Sequence, residues 1–162
     1  MKFNNLIKWL LISAVGFCLI SCKEETATVG GQAPEIAVFD LQGQPVNLQD
    51  YQGKTTLLNF WSETCGICIA ELKELAQLEQ ENPNKIHILA INIDGANADT
   101  QKTVEKRQIH LPVVKDQMKI SAERYQLIGT PTSFIIDPQG KILYKFEGLI
   151  PQDILTNLFK GN

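Results

Sequence analysis

A nearly continuous apolar run, Thr55–Trp61 (Thr-Thr-Leu-Leu-Asn-Phe-Trp), leads within a few residues into the pair Cys65-Gly66-Ile67-Cys68, and that pair opens an amphipathic segment. This junction constrains the chain more than any other. An apolar run with little polar alternation fits a strand buried on both faces, in the interior of a covered sheet. A helix is predicted over Gly66–Glu81. Cys68, Leu72, Leu75 and Leu78 form one stripe, the opposite face is Lys, Glu and Gln, and Asn82-Pro83 stops it. Cys65 is therefore expected at a helix N-terminus, where unpaired amides and the positive dipole end favour an anion. The thiolate is the form of cysteine that attacks a disulfide, and a lowered pKa makes it available near neutral pH. Cys68, one turn further in, is placed to attack Cys65 in its turn.

The remaining pattern surrounds this junction with short strands and helices. Pro34–Leu41 and Pro45–Leu48 flank the turn Gln42-Gly43-Gln44, and Ile86–Ile93 reads as a second buried strand. Ala98–Gln108 is a polar helix, Val113-Val114 a short strand and Ile120–Tyr125 a short helix. Thr132–Ile136 and Lys141–Phe146 flank Asp137-Pro138-Gln139-Gly140 as a hairpin, and Pro151–Lys160 closes as a helix. The order β-β-β-α-β-α-β-α-β-β-α implies an α/β class. The sheet is central and mixed, with helices on both faces, an N-terminal β-hairpin and a β-α insertion at Asp94–Val114.

The N-terminus is of a different character. Lys2 and Lys8 precede the apolar run Trp9–Ile20, which is short for a membrane span and reads as an export signal. Leu19-Ile20-Ser21-Cys22 resembles a bacterial lipobox, and the resemblance implies cleavage before Cys22, with acyl chains on that residue. Residues 1–21 are then a signal peptide, 22–33 a lipidated cysteine with a flexible tether, and 34–162 one domain. Several acyl chains on Cys22 would give a lasting bond to the bilayer. Without Lys2 and Lys8, 13 basic residues face 18 acidic ones, a formal charge of −5. That balance, with no basic cluster, argues against nucleic acid.

Of four cysteines, Cys18 leaves with the signal and Cys22 carries lipid, so Cys65 and Cys68 remain as thiols. A lone C-x-x-C serves redox chemistry or half of a zinc site. His87 and His110 are far apart in sequence and supply no second half, so no metal or cofactor is expected.

Phe60-Trp61-x-x-x-Cys65-Gly66-x-Cys68, followed by Gly129-Thr130-Pro131-Thr132, resembles the thioredoxin superfamily. The opening Gly31-Gln32-Ala33-Pro34, the Asp40–Lys54 segment and the insertion narrow the resemblance to the membrane-anchored TlpA/ResA-like branch. It spans about residues 30–160. The resemblance implies an extracytoplasmic thiol–disulfide oxidoreductase that reduces client proteins, with apo-cytochrome c among the suggested clients. A membrane thiol–disulfide carrier would supply its electrons. Cys65 and Cys68 would be catalytic, and Glu71, three residues after Cys68, would serve proton transfer. Trp61, Gly66, Ile67, Thr130 and Pro131 would meet the substrate, the last through a cis peptide bond. Asn59 stands where thioredoxins proper carry an acid, while Thr64 and Ile67 depart from the commonest Trp and Pro. Two other readings stand beside this one. A peroxiredoxin-like thiol peroxidase is weakened by Ser62 at the third position before Cys65 and by the lack of a preceding proline. A copper- or haem-delivery module is weakened by the absence of a His or Met cluster near the thiols.

Overall fold

A computed structural model describes residues 25–161, so Cys22 and the leader lie outside the described residues. Seven strands form one sheet in the order β2-β1-β5-β4-β3-β6-β7. They are β1 (Val38–Asp40), β2 (Pro45–Val46), β3 (Thr56–Trp61), β4 (His87–Asn92), β5 (Val113–Lys115), β6 (Thr132–Ile136) and β7 (Ile142–Glu147). The central trio β3, β4 and β5 is parallel, while β1 and β2 at one edge and β6 and β7 at the other run antiparallel to their neighbours. The helices are α1 (Gly66–Glu81), α2 (Thr100–Arg107), α3 (Ile120–Arg124) and α4 (Gln152–Lys160), and a 3-10 turn covers Leu48–Tyr51. The predicted order of elements is the observed one; most ends are displaced by one or two residues, but β1 begins at Val38, four residues after the predicted Pro34.

Alternation along the strands separates two cores. Leu58, Phe60, Leu89, Ile91, Phe134 and Ile136 face Tyr125 just after α3, the first hairpin and the N-terminal segment. Leu57, Ile88 and Ile135 face the other way, onto Leu75 of α1 and Leu155 and Phe159 of α4. Trp61 and Ala90 join Cys68, Ile69 and Leu72 of α1 on that second side, with Val104 of α2 packed against them. Helices thus cover both faces, as a sheet of buried strands requires.

The expected tether is shorter than its composition implies. Ala27 is buried, its amide donates to the Arg124 carbonyl at 2.8 Å, and Gly30 donates to the Ile142 carbonyl at 2.8 Å. Ile142 donates back to Gly31 at 2.9 Å, and Ala33 donates to Gly140 at 2.9 Å. The glycine pair makes this contact possible. Gly30 has φ +88°, and a Cβ at Gly31 would meet Thr28 Oγ1 at 2.7 Å. From Ala27 onward the segment belongs to the domain. Among the described residues, no helix is long and apolar enough to cross a membrane.

Candidate active site

The site is built where β3 ends. Because β6 pairs antiparallel with β3, with Phe60 opposite Thr132, the start of β6 lies beside the C-terminal end of β3. The loop into α1 and the Gly129–Pro131 turn therefore meet, although 65 residues separate Cys65 from Thr130. Cys65 is the N-cap of α1, and the Cys68 amide donates to its Sγ at 3.2 Å. A helix-end amide aimed at the sulfur favours negative charge there. The Thr130 carbonyl oxygen lies 3.6 Å from the same sulfur. Cys65 and Cys68 are joined in a disulfide with a Cα–Cα separation of 5.2 Å. Cys65 is half-buried, while Cys68 is fully buried against Trp61 and Leu72. Of the two, only Cys65 is open to solvent.

Behind the disulfide sits a buried polar group of three side chains. Glu71 is 3 % exposed, and its Oε2 accepts from Asn59 Nδ2 at 2.8 Å while Oε1 accepts from the Ile150 amide at 2.8 Å. The same Asn59 nitrogen donates to Ser133 Oγ at 2.9 Å. The geometry follows from the sheet: Asn59 is paired with Ser133 across β3 and β6, and its side chain shares the face of Leu57 and Trp61. Burial pushes the Glu71 carboxyl above its ordinary value. The Ile150 and Asn59 hydrogen bonds oppose that rise, and the charge of Glu74 adds to it. A second link runs from Gly148, whose amide donates to the Pro131 carbonyl at 2.8 Å. The turn after β7 thus braces both the helix carboxylate and the proline loop.

The AhpC/TSA family model matches residues 29–145. Thiol-disulfide oxidoreductase ResA from Bacillus thuringiensis subsp. konkukian is 33% identical over 98% of this chain and 94% of its own. The chain belongs to the ResA-like thiol–disulfide oxidoreductases. Solved structures agree on the fold. The thioredoxin domain of a thiol-disulfide oxidoreductase from Bacteroides vulgatus superposes with TM-score 0.70 at 29% identity, covering 83% of this chain and 97% of that one. A thiol:disulfide interchange protein from Bacteroides sp. gives TM-score 0.71 at 30% identity, covering 82% and 89%.

Within this oxidoreductase, most of the expected residues converge. Gly66 and Ile67 are exposed beside Cys65, Thr130 is half-buried against its sulfur, and the Thr130–Pro131 bond is cis. Trp61 is a correction. It is fully buried, so it cannot touch a substrate, and it packs under Cys68 instead. Its position on the strand explains this, since Trp61 shares the inward face of Asn59 two residues earlier. Ser133 is a member of the Glu71 group that the motifs do not announce. Strand pairing parity is the available signal, but it requires knowing which strands are neighbours. No group of three or more His, Cys, Asp or Glu able to hold a metal ion is present among the described residues.

Proposed function

We propose that this oxidoreductase works outside the cytoplasm, held to a bacterial membrane by acylated Cys22, and reduces disulfides of client proteins. The observation that carries the reading is the asymmetry of the two sulfurs, one open on a helix end and one sealed in the core. In the reduced protein, the Cys65 thiolate attacks a client disulfide. A Cys65–client bond forms, the client bond breaks, and one client thiolate leaves. Cys68 then loses its proton and attacks Cys65. The Cys65–Cys68 bond forms, the second client sulfur leaves, and two electrons have passed to the client. Glu71, buried on the same helix, is the proposed acceptor of the Cys68 proton, because burial raises its carboxyl above the ordinary value and makes it a stronger base. The Thr130–Pro131 main chain and the exposed Gly66 and Ile67 are the proposed bed for the client segment. A membrane thiol–disulfide carrier would return the dithiol to its reduced form, and apo-cytochrome c is a client class that the family resemblance suggests.

Trapping tests the reading. Cys68→Ser should accumulate mixed disulfides with clients, while Cys65→Ser should accumulate none. Equal trapping by both variants would remove the assigned roles. Cys22→Ser should release the protein from membranes with its exchange activity intact. A cleaved Cys22→Ser protein that still sediments with membranes would remove the anchor.

A further inference from the structure

Three residues, Ser62, Glu63 and Thr64, carry the chain from β3 to Cys65, and the support for this loop comes largely from the insertion after β4. Within the loop, the Cys65 amide donates to the Ser62 carbonyl at 3.1 Å. Asp94 takes up the rest. Its Oδ1 accepts from Ser62 Oγ at 2.6 Å, and its Oδ2 accepts from the Glu63 amide at 2.7 Å and from Asn92 Nδ2 at 2.7 Å. The Glu63 side chain reaches across to α2, where Thr100 Oγ1 donates to Oε1 at 2.9 Å and Thr103 Oγ1 donates to Oε2 at 3.1 Å. Thr100 and Thr103 are one helical turn apart, so both hydroxyls lie on one face. Thr100 and Asn92 are fully buried, and the Thr100 hydroxyl also lies 3.3 Å from Asn92 Oδ1. Burial alone would raise the Asp94 carboxyl. Hydrogen bonds from Ser62, the Glu63 amide and Asn92, with the charge of Lys119, hold it below its ordinary value.

We propose that Asp94, Thr100 and Thr103 are positioning residues that clasp the nucleophile loop and keep the Glu63 carboxylate docked on the insertion helix. The proposal rests on Cys65 acting as the attacking sulfur. Glu63 stands two residues before Cys65, so a released carboxylate could approach the helix end that favours the thiolate and oppose it. A slack loop would also loosen the alignment of Cys65 Sγ with the Cys68 amide. Both consequences move the Cys65 pKa upward. The insertion thereby contributes to thiol chemistry without touching a client.

Valine replaces threonine with similar shape and no change of charge, so Thr103→Val and Thr100→Val/Thr103→Val open the clasp selectively. Reduced proteins are alkylated with iodoacetamide between about pH 5 and 10, and exchange with oxidised glutathione is timed at neutral pH. The expected result is a midpoint displaced to higher pH, with exchange slowed about threefold or more. Adding Glu63→Gln to either background should return the midpoint most of the way, because no carboxylate remains to be released. Where the double variant does not fold, Thr103→Val alone decides. Variants whose alkylation curves and exchange rates superimpose on the parent, whatever their stability, overturn the proposal. A parent that fails to exchange at all would instead count against the oxidoreductase reading, and the alkylation midpoints would still decide the clasp.

Discussion

The two faces of β3 are made from alternate residues of one strand, yet they are filled on different terms. One face presents Leu58 and Phe60 to an aromatic cluster in which Phe60–Tyr125, Phe60–Phe134 and Tyr125–Phe134 centroids lie 5.2, 5.9 and 4.9 Å apart. The other presents Leu57, Asn59 and Trp61 to α1 and α4, with the Glu71 group in its middle. Buried polar atoms without a hydrogen-bond partner are uncommon in folded proteins. Four occur among the described residues, and two of them, Asn59 Oδ1 and Trp61 Nε1, lie on the Asn59 face of β3. Of the two faces of β3, only the Asn59 face carries such atoms, although apolar side chains are packed on both. The Asn59 face gives up some stability on the side of the sheet that also buries Cys68.

Truncation of the aromatic face should break the fold before it changes the chemistry. Phe134 is 1 % exposed and contacts both other rings, so Phe134→Ala should cost about 3–5 kcal/mol through lost burial and an unfilled cavity. Chemical denaturation measures the loss. The molecules that remain folded should show parental Cys65 alkylation, and an altered pH profile would mean that the two faces are not separable.

A gentler change on the same face isolates one hydrogen bond. Tyr125 is fully buried, and its hydroxyl donates to the Pro34 carbonyl at 2.7 Å, tying the N-terminal segment to the end of α3. Tyr125→Phe keeps the ring and leaves that carbonyl without its donor, which should cost about 1–2 kcal/mol. Thermal unfolding should register it while disulfide exchange stays at the parental rate.

How much of this can be read from the chain depends on whether the cause is local. The β3–α1 junction is legible because an apolar run, a cysteine pair and a 3.6-residue stripe are neighbours in sequence, and α1 occupies its predicted bounds of Gly66–Glu81. The hairpin of β6 and β7 is legible for the same reason, through Asp137-Pro138-Gln139-Gly140. Ala27–Ala33 reads as tether because its polar, glycine-rich composition says nothing about Arg124, Gly140 and Ile142, whose backbone groups pair with it. The burial of Glu71 is another long-range effect. A carboxylate among Lys and Glu looks solvated until Ile150, 79 residues away, brings an amide to it. Trp61 is different, since the continuous apolar run that buries it is already present in Thr55–Trp61. The motif resemblance draws it towards the substrate instead. Glu63 and Asp94 give no pattern at all, because their meeting depends on two strand ends lying side by side.

The smallest expected change in stability comes from the polar face, and it carries the most information about chemistry. Glu71→Gln preserves the shape of the side chain and one acceptor oxygen. That oxygen can keep either the Ile150 amide or Asn59 Nδ2, while the new amide group faces the other donor. Asn59 can relieve the conflict by turning its own amide, since its Oδ1 lacks a partner and could accept from the introduced amide nitrogen. The cost should therefore stay within about 1 kcal/mol. The sign of the pH dependence follows from the direction of the shift. Burial raises the Glu71 pKa, so the folded state holds this proton more tightly than the unfolded chain does. Its contribution to stability is complete below the ordinary carboxyl range and is lost as pH rises through the raised value. Relative to Glu71→Gln, the parent should lose stability over that interval, and denaturation at several pH values measures the difference. The proposed proton transfer makes a second demand on the same pair of proteins. With no carboxylate to accept the Cys68 proton, collapse of the mixed disulfide should slow, and the pH profile of thiol alkylation should lose its dependence on Glu71. Superimposable alkylation profiles, with only the stability curves diverging, would leave Glu71 as a buried brace for the Ile150 turn and take it out of the chemistry.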